Sequence, residues 1–138
     1  CWKAASAVLN GKAYVFGGQV LGSSIPNPLS LRNSLHEYDP YDNSWDEVVL
    51  VDHTKPPPRA AAIMEGISNI NALILWSGYL PFFLDDSEVF VLNMAGAQKD
   101  KGWKRERPQG VGPPKRHSAA SALHGSTLFI FGGEPMSG

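Results

Sequence analysis

The sequence holds one cysteine, Cys1, and no Asn-x-Ser/Thr site. No internal disulfide can form and nothing marks a secreted, oxidising setting, so a cytoplasmic location is expected. Long apolar runs are also missing: no stretch approaches the roughly 18 to 20 residues that cross a bilayer, and no basic segment with an apolar core opens the chain. A soluble chain with no membrane partner follows. Charge of one sign is lacking too, since the formal net charge is −1. No overall field attracts nucleic acid, and no track of aromatic and basic residues suits a single strand.

Chemistry-bearing patterns are equally scarce. His36, His53, His117 and His124 make no His-x-x-x-His spacing, and one cysteine supplies no zinc cluster. Neither a G-x-S-x-G elbow nor a phosphate-binding Gly-rich loop is present. His117 and Ser118, adjacent on an expected strand, should point to opposite faces. No catalytic residue, cofactor or metal site is read from the chain, and a non-enzyme is expected.

What the chain does contain is repetition. "ASAVLNGKAYVFGG" from Ala5, "NALILWSG" from Asn71 and "AASALHGSTLFIFGG" from Ala119 share an apolar run ending in glycine, with second glycines at Gly18, Gly78 and Gly133. After the first comes Tyr38 with Trp45; after the second, Leu92 with Trp103. "PPPRAAAIMEG" and "PPKRHSAASALHG" align Arg59 with Arg116. The segments are short, rich in β-branched and aromatic residues, and bounded by turn formers such as Asn10-Gly11, Gly66 and Pro56 to Pro58. No apolar stripe of helical period and length competes. Strands are expected at 3–9, 12–17, 34–38 and 45–50, then at 59–64, 72–77, 88–92 and 103–106. Four antiparallel strands every 50 to 60 residues is the repeat length of a β-propeller blade.

In this order of Arg, small residues, apolar strand with Gly-Gly, Tyr-Asp-Pro and Trp, the chain resembles the kelch repeat along essentially its whole length. Ser77 in place of a glycine, Leu92 in place of a tyrosine and Trp2 at the expected arginine depart from the pattern. The resemblance implies an all-β, kelch-like propeller segment: two complete four-stranded antiparallel blades (1–57 and 58–115) and the first half of a third (116–138). It also implies that Tyr38, Trp45 and Trp103 pack between blades. Gly17, Gly18, Ser77, Gly78, Gly132 and Gly133 then form the crowded strand ends, where a missing Cβ admits a neighbouring backbone.

Because direction reverses at each antiparallel turn, the connections 19–33, 51–58, 79–87 and 107–115 share one face. Arg59 and Arg116 head their units at that rim, as braces of the interblade links or as a cationic ridge. The 79–87 loop sets Phe82, Phe83 and Leu84 beside Asp85 and Asp86, an apolar anchor next to charge suited to an interface, or a loop folded back over the blade. Arg32 and Arg107 complete the candidate partner-binding set. Acidic residues crowd Glu37 to Asp52 and basic ones Lys99 to Arg116, as solvated loops of opposite sign or a charge-steered surface.

A protein or peptide partner is therefore expected, as kelch scaffolds and substrate adaptors imply. The alternative is an enzyme fragment like galactose oxidase, with a metal site built from loops around His117 or Tyr79. Both termini read as cut from something longer. Two and a half blades leave apolar faces and the 127–131 edge uncovered, so the isolated segment is expected to self-associate or fold poorly.

Overall fold

A computed structural model describes residues 3–20, 30–79, 88–96 and 102–135. The first sheet runs β1 (Ala5–Leu9), β2 (Lys12–Phe16), β3 (Leu35–Asp39) and β4 (Ser44–Glu47), each antiparallel to the last. The second repeats that order with β5 (Ile63–Ile67), β6 (Ala72–Trp76), β7 (Val89–Asn93) and β8 (Lys104–Glu106). The third unit contributes the hairpin β10 (Ala120–His124) with β11 (Thr127–Phe131), flanked by the short pair β9 (Arg116–His117) and β12 (Glu134–Pro135). This is the expected all-β, partial kelch propeller. Among the described residues no helix is long and apolar enough to cross a membrane.

Local chemistry sets the tight ends. Asn10 and Gly11 both have positive φ, 52° and 79°, which suits the two-residue turn that follows the twist of β1 and β2. In the second unit the hairpin is two residues longer, with a 3₁₀ turn Ser68–Ile70 and left-handed Asn71. The Asn10 side-chain amide donates to the Asn71 side-chain oxygen Oδ1 (2.5 Å), tying the two turns together.

The core lies between the first two sheets and is graded from inside outward. Where β1 and β5 run side by side, small Ala5, Ala7 and Gly66 allow close approach and are joined by Leu9 and Met64; further out Phe16, Phe90 and Trp103 fill the gap. Phe16 meets Trp103 edge to face, with ring centroids 5.7 Å apart. Burying side chains of this size contributes roughly 1.5 to 3 kcal/mol each.

Several expectations are corrected. The first strand of unit two begins at Ile63 and not at 59, and that of unit one at Ala5 and not at 3. The reason is a shared backbone break: Lys3, Ala61 and Ser118 all have positive φ, 56°, 55° and 59°. Gly66 is a strand residue, with the turn two residues later. Pairing of Ala5 with Phe16, Ile63 with Trp76 and Ala120 with Phe131 places Arg59 and Arg116 each four residues before the strand. Trp2, expected at the arginine position of unit one, lies outside the described residues. Trp45 is 57% exposed and not packed between sheets. It lies on Tyr38 (5.0 Å between centroids), on the sheet face turned away from the second blade.

Candidate interaction rim

The rim is built from the ends of β2 and β6, the starts of the third strands and the interblade links, and its backbone is stitched across units. Gly18 N–H donates to Arg59 O (2.9 Å), Arg59 N–H to Arg32 O (3.2 Å), and Arg32 N–H to Gly18 O (3.0 Å). One unit further on, Gly78 N–H donates to Arg116 O (3.0 Å). A Cβ on Gly17, whose φ is +69°, would sit 2.6 Å from Arg59 O, so a side chain there would push the link outward. At the equivalent position Ser77, also at positive φ (61°), turns its side chain to use: Ser77 Oγ donates to Arg116 O and accepts from Arg116 N (2.9 Å).

Arg59 and Arg116 make the same pair of bonds. Arg59 Nε donates to Pro57 O (3.1 Å) and Nη1 to Ser77 O (2.9 Å). Arg116 Nε donates to Pro114 O (3.1 Å) and Nη1 to Gly132 O (2.9 Å). Each guanidinium fork thus ties an interblade link to the strand end of its own sheet, a geometry that an ammonium cannot reproduce. Their surroundings differ. Arg59 is 2% exposed and its cation lies 5.2 Å from the Phe90 ring centroid, so the expectation that it presents itself to a partner is corrected: no partner can reach it there. Arg116 is half-buried.

The link 51–58 is anchored by a 3₁₀ turn, Asp52–Thr54, whose Thr54 hydroxyl donates to Val51 O (2.7 Å) and accepts from Trp103 N (3.2 Å). Asn33 Nδ2 donates to Pro56 O (3.1 Å), joining this link to the third strand of unit one. Arg32 is exposed. Arg107 reaches Glu88 (3.7 Å), which also receives Arg105 (3.6 Å). Beneath the 107–115 link lies a cleft of about 520 Å³, lined by Ile74, Trp76, Val89, Leu128 and Ile130 with Arg107 at its mouth. Residues Phe82, Phe83, Leu84, Asp85 and Asp86 lie outside the described residues.

The His117 neighbourhood differs from expectation in one respect. Ser118 adopts positive φ at the end of β9, and its hydroxyl lies 3.1 Å from His117 Nδ1, so the two side chains meet and do not diverge. His117 Nε2 is 3.8 Å from a Glu134 carboxylate oxygen, and its ring meets Tyr79 edge to face at 5.9 Å. Among the described residues no three His, Cys, Asp or Glu side chains gather as a metal-ligating group.

Two features escaped the sequence reading. The cleft beside Trp76 had a signal, because repeat register makes Trp76 the counterpart of Phe16. The second is a part-buried polar triad in the first blade, where Glu37 accepts from Tyr14 Oη (2.9 Å) and Lys12 Nζ (3.1 Å). Burial first, then the Glu37 bond, pushes the Tyr14 phenol well above its ordinary value. Lys12 is also raised, chiefly by its hydrogen bond to Glu37.

Comparison with known proteins agrees with this geometry. Residues 3–138 match the family model described as the KLHDC2/KLHL20/DRC7 Kelch-repeats domain. The chain is also similar to the dynein alpha chain of the flagellar outer arm of Chlamydomonas reinhardtii, 30% identical over 109 residues that cover 77% of this chain. The match spans 2% of that protein, and so bears on the repeat and not on the activity of the whole. With its sheets, strand-end glycines and family match in agreement, the chain belongs to the kelch-repeat family.

Proposed function

We propose that this segment is a non-catalytic protein-interaction module that binds a protein or peptide partner through the rim formed by 19–33, 51–58, 79–87 and 107–115. The observation that carries the reading is the cross-unit stitching of that rim. Bonds among Gly18, Arg32 and Arg59, and between Gly78 and Arg116, hold the bases of successive connections on a rigid scaffold, the arrangement in which loops serve recognition. A family whose repeat domains generally bind other proteins supports it. The single cysteine and the lack of glycosylation sites support a cytoplasmic, reducing setting.

Photocrosslinking tests the assignment of faces. A crosslinker at Arg32 or Arg107 should capture a discrete partner from native extract, whereas one at Asp42 or Asn10, on the opposite edge, should not. Equal capture from both edges would overturn the proposal.

A further inference from the structure

The turn between β1 and β2 joins a chemical weakness to a contact between sheets. Asn10 is followed by Gly11, and no other asparagine of the chain is followed by glycine. Asparagine is among the thermally labile residues, because the next backbone nitrogen can attack its side-chain amide carbon. A side chain on that next residue crowds the attack. Gly11 has none, and nothing lies within 4 Å of where its Cβ would be. Backbone conformation does not single Asn10 out. Asn43 and Asn71 stand in the same left-handed region, with φ of 52° and 49° beside 52° at Asn10, but Ser44 and Ala72 follow them. The nitrogen that would leave, Asn10 Nδ2, is the atom that donates to Asn71 Oδ1 (2.5 Å).

We propose that Asn10 is a deamidation site, that Asn71 restrains it, and that the modification cuts the tie between the first two sheets at the edge opposite the rim. The Gly11 nitrogen bonds to Asn10 Cγ while the Cγ–Nδ2 bond breaks, and Nδ2 departs as ammonia with the proton of the Gly11 N–H. A five-membered imide remains. Water then opens it with no change of oxidation state: breaking the bond from nitrogen to Cγ gives aspartate, and breaking the bond from nitrogen to the backbone carbonyl carbon gives isoaspartate. Neither carboxylate keeps a donor for Asn71. With aspartate, the Asn71 amide can turn over and donate from its own nitrogen. Isoaspartate instead carries the main chain through Cβ and Cγ, one atom longer, inside a two-residue turn whose ends are the paired Leu9 and Lys12. The isoaspartyl form therefore loses the pairing at that end as well as the tie.

Peptide mapping by mass spectrometry during incubation in mildly alkaline buffer tests it. Amide loss should be fastest at Asn10, ahead of Asn43 and Asn71, and part of the product should be labelled by an isoaspartyl methyltransferase. Asn71→Gly removes the acceptor and suits a left-handed backbone. It should raise the Asn10 rate about fivefold, the factor set by one hydrogen bond of ordinary net strength. Asn71→Asp keeps an acceptor and should leave the rate near that of the native chain. Both variants must keep native far-ultraviolet dichroism, and where Asn71→Gly loses sheet signal, Asn71→Ala must show the same acceleration. The isoaspartyl fraction, separated by ion exchange, should melt below the unmodified chain, and Asn10→Asp close to it. Loss at Asn10 no faster than at Asn43, equal rates with and without the Asn71 acceptor, or an isoaspartyl fraction with an unchanged melt would each overturn the proposal.

Discussion

Arg59 and Arg116 carry identical hydrogen bonds in different surroundings, and the difference decides what each is worth. Arg59 is enclosed, so the carbonyls of Pro57 and Ser77 have no water to replace a lost donor. Arg59→Lys should lower stability by about 2 to 3 kcal/mol, the range for hydrogen bonds to a buried charged group. Arg116→Lys, half-buried, should cost about 1 kcal/mol or less. Thermal denaturation of the two variants checks the order, and equal losses would contradict it.

Tyr14 gives a pH dependence at the same scale. Its phenol is raised by burial and by its bond to Glu37, so the folded state holds the proton more tightly than the unfolded chain, where an ordinary tyrosine titrates near about 10. The stability it contributes is complete below about pH 10 and is lost as pH rises from there toward the folded value. Lys12 is shifted the same way and remains in a Tyr14→Phe variant. Above about pH 10 the melting temperature of the native chain should therefore fall more steeply than that of Tyr14→Phe. At neutral pH the variant should be about 1 kcal/mol less stable for the lost bond. Parallel curves would show that Tyr14 does not carry the effect.

At the level of elements, the approach of β5 to β1 sets the junction. A Cβ on Gly66 would lie 2.5 Å from Val8 O and 2.9 Å from Leu9 Cβ, and both obstacles are held in a paired strand. Gly66→Ala should destabilise by about 1 to 3 kcal/mol through overpacking. Gly112, in the exposed 107–115 link with nothing within 4 Å of its Cβ position, is the control; Gly112→Ala should change stability by no more than about 0.5 kcal/mol. Denaturant midpoints distinguish the two. The same element scale accounts for the late start of β5: positive φ at Ala61 ends one extended run, leaving Ala60 to bridge Tyr79 at the rim before the strand begins.

For the whole molecule, the proposed function assigns partner recognition to the rim, and the graded junction beneath it carries stability. Phe83, in the 79–87 loop, is flanked by apolar Phe82 and Leu84 and followed by Asp85 and Asp86. Phe83→Ala should weaken partner capture by about 2 kcal/mol or more, as truncating an interface anchor does, while leaving the melt unchanged. Unchanged capture with a sharply lowered melt would place the ring in the core. The separation of edges on which this rests could be read from the sequence, because antiparallel reversal sends 19–33, 79–87 and the interblade links to one side, and the Asn10-Gly11 turn with the 94–102 connection to the other.

The strand repeat, the order of strands and the glycine-bearing ends were determined by sequence alone, since two-residue alternation and turn chemistry act within a few residues of the chain. Burial was decided by tertiary structure. Trp45 and Trp103 carry the same repeat signal, yet one is 57% exposed and the other 5%, because among the described residues a sheet of another unit faces Trp103 and none faces Trp45. Arg59 and Arg116 were equally ambiguous as braces or ridge; enclosure against Phe90 makes Arg59 an interior brace. Gly66, written next to a turn, serves in a strand because the backbone of β1 lies where its side chain would be. A repeat encodes where each residue points, but what stands opposite comes from residues about 60 positions away, and no local pattern specifies that distance.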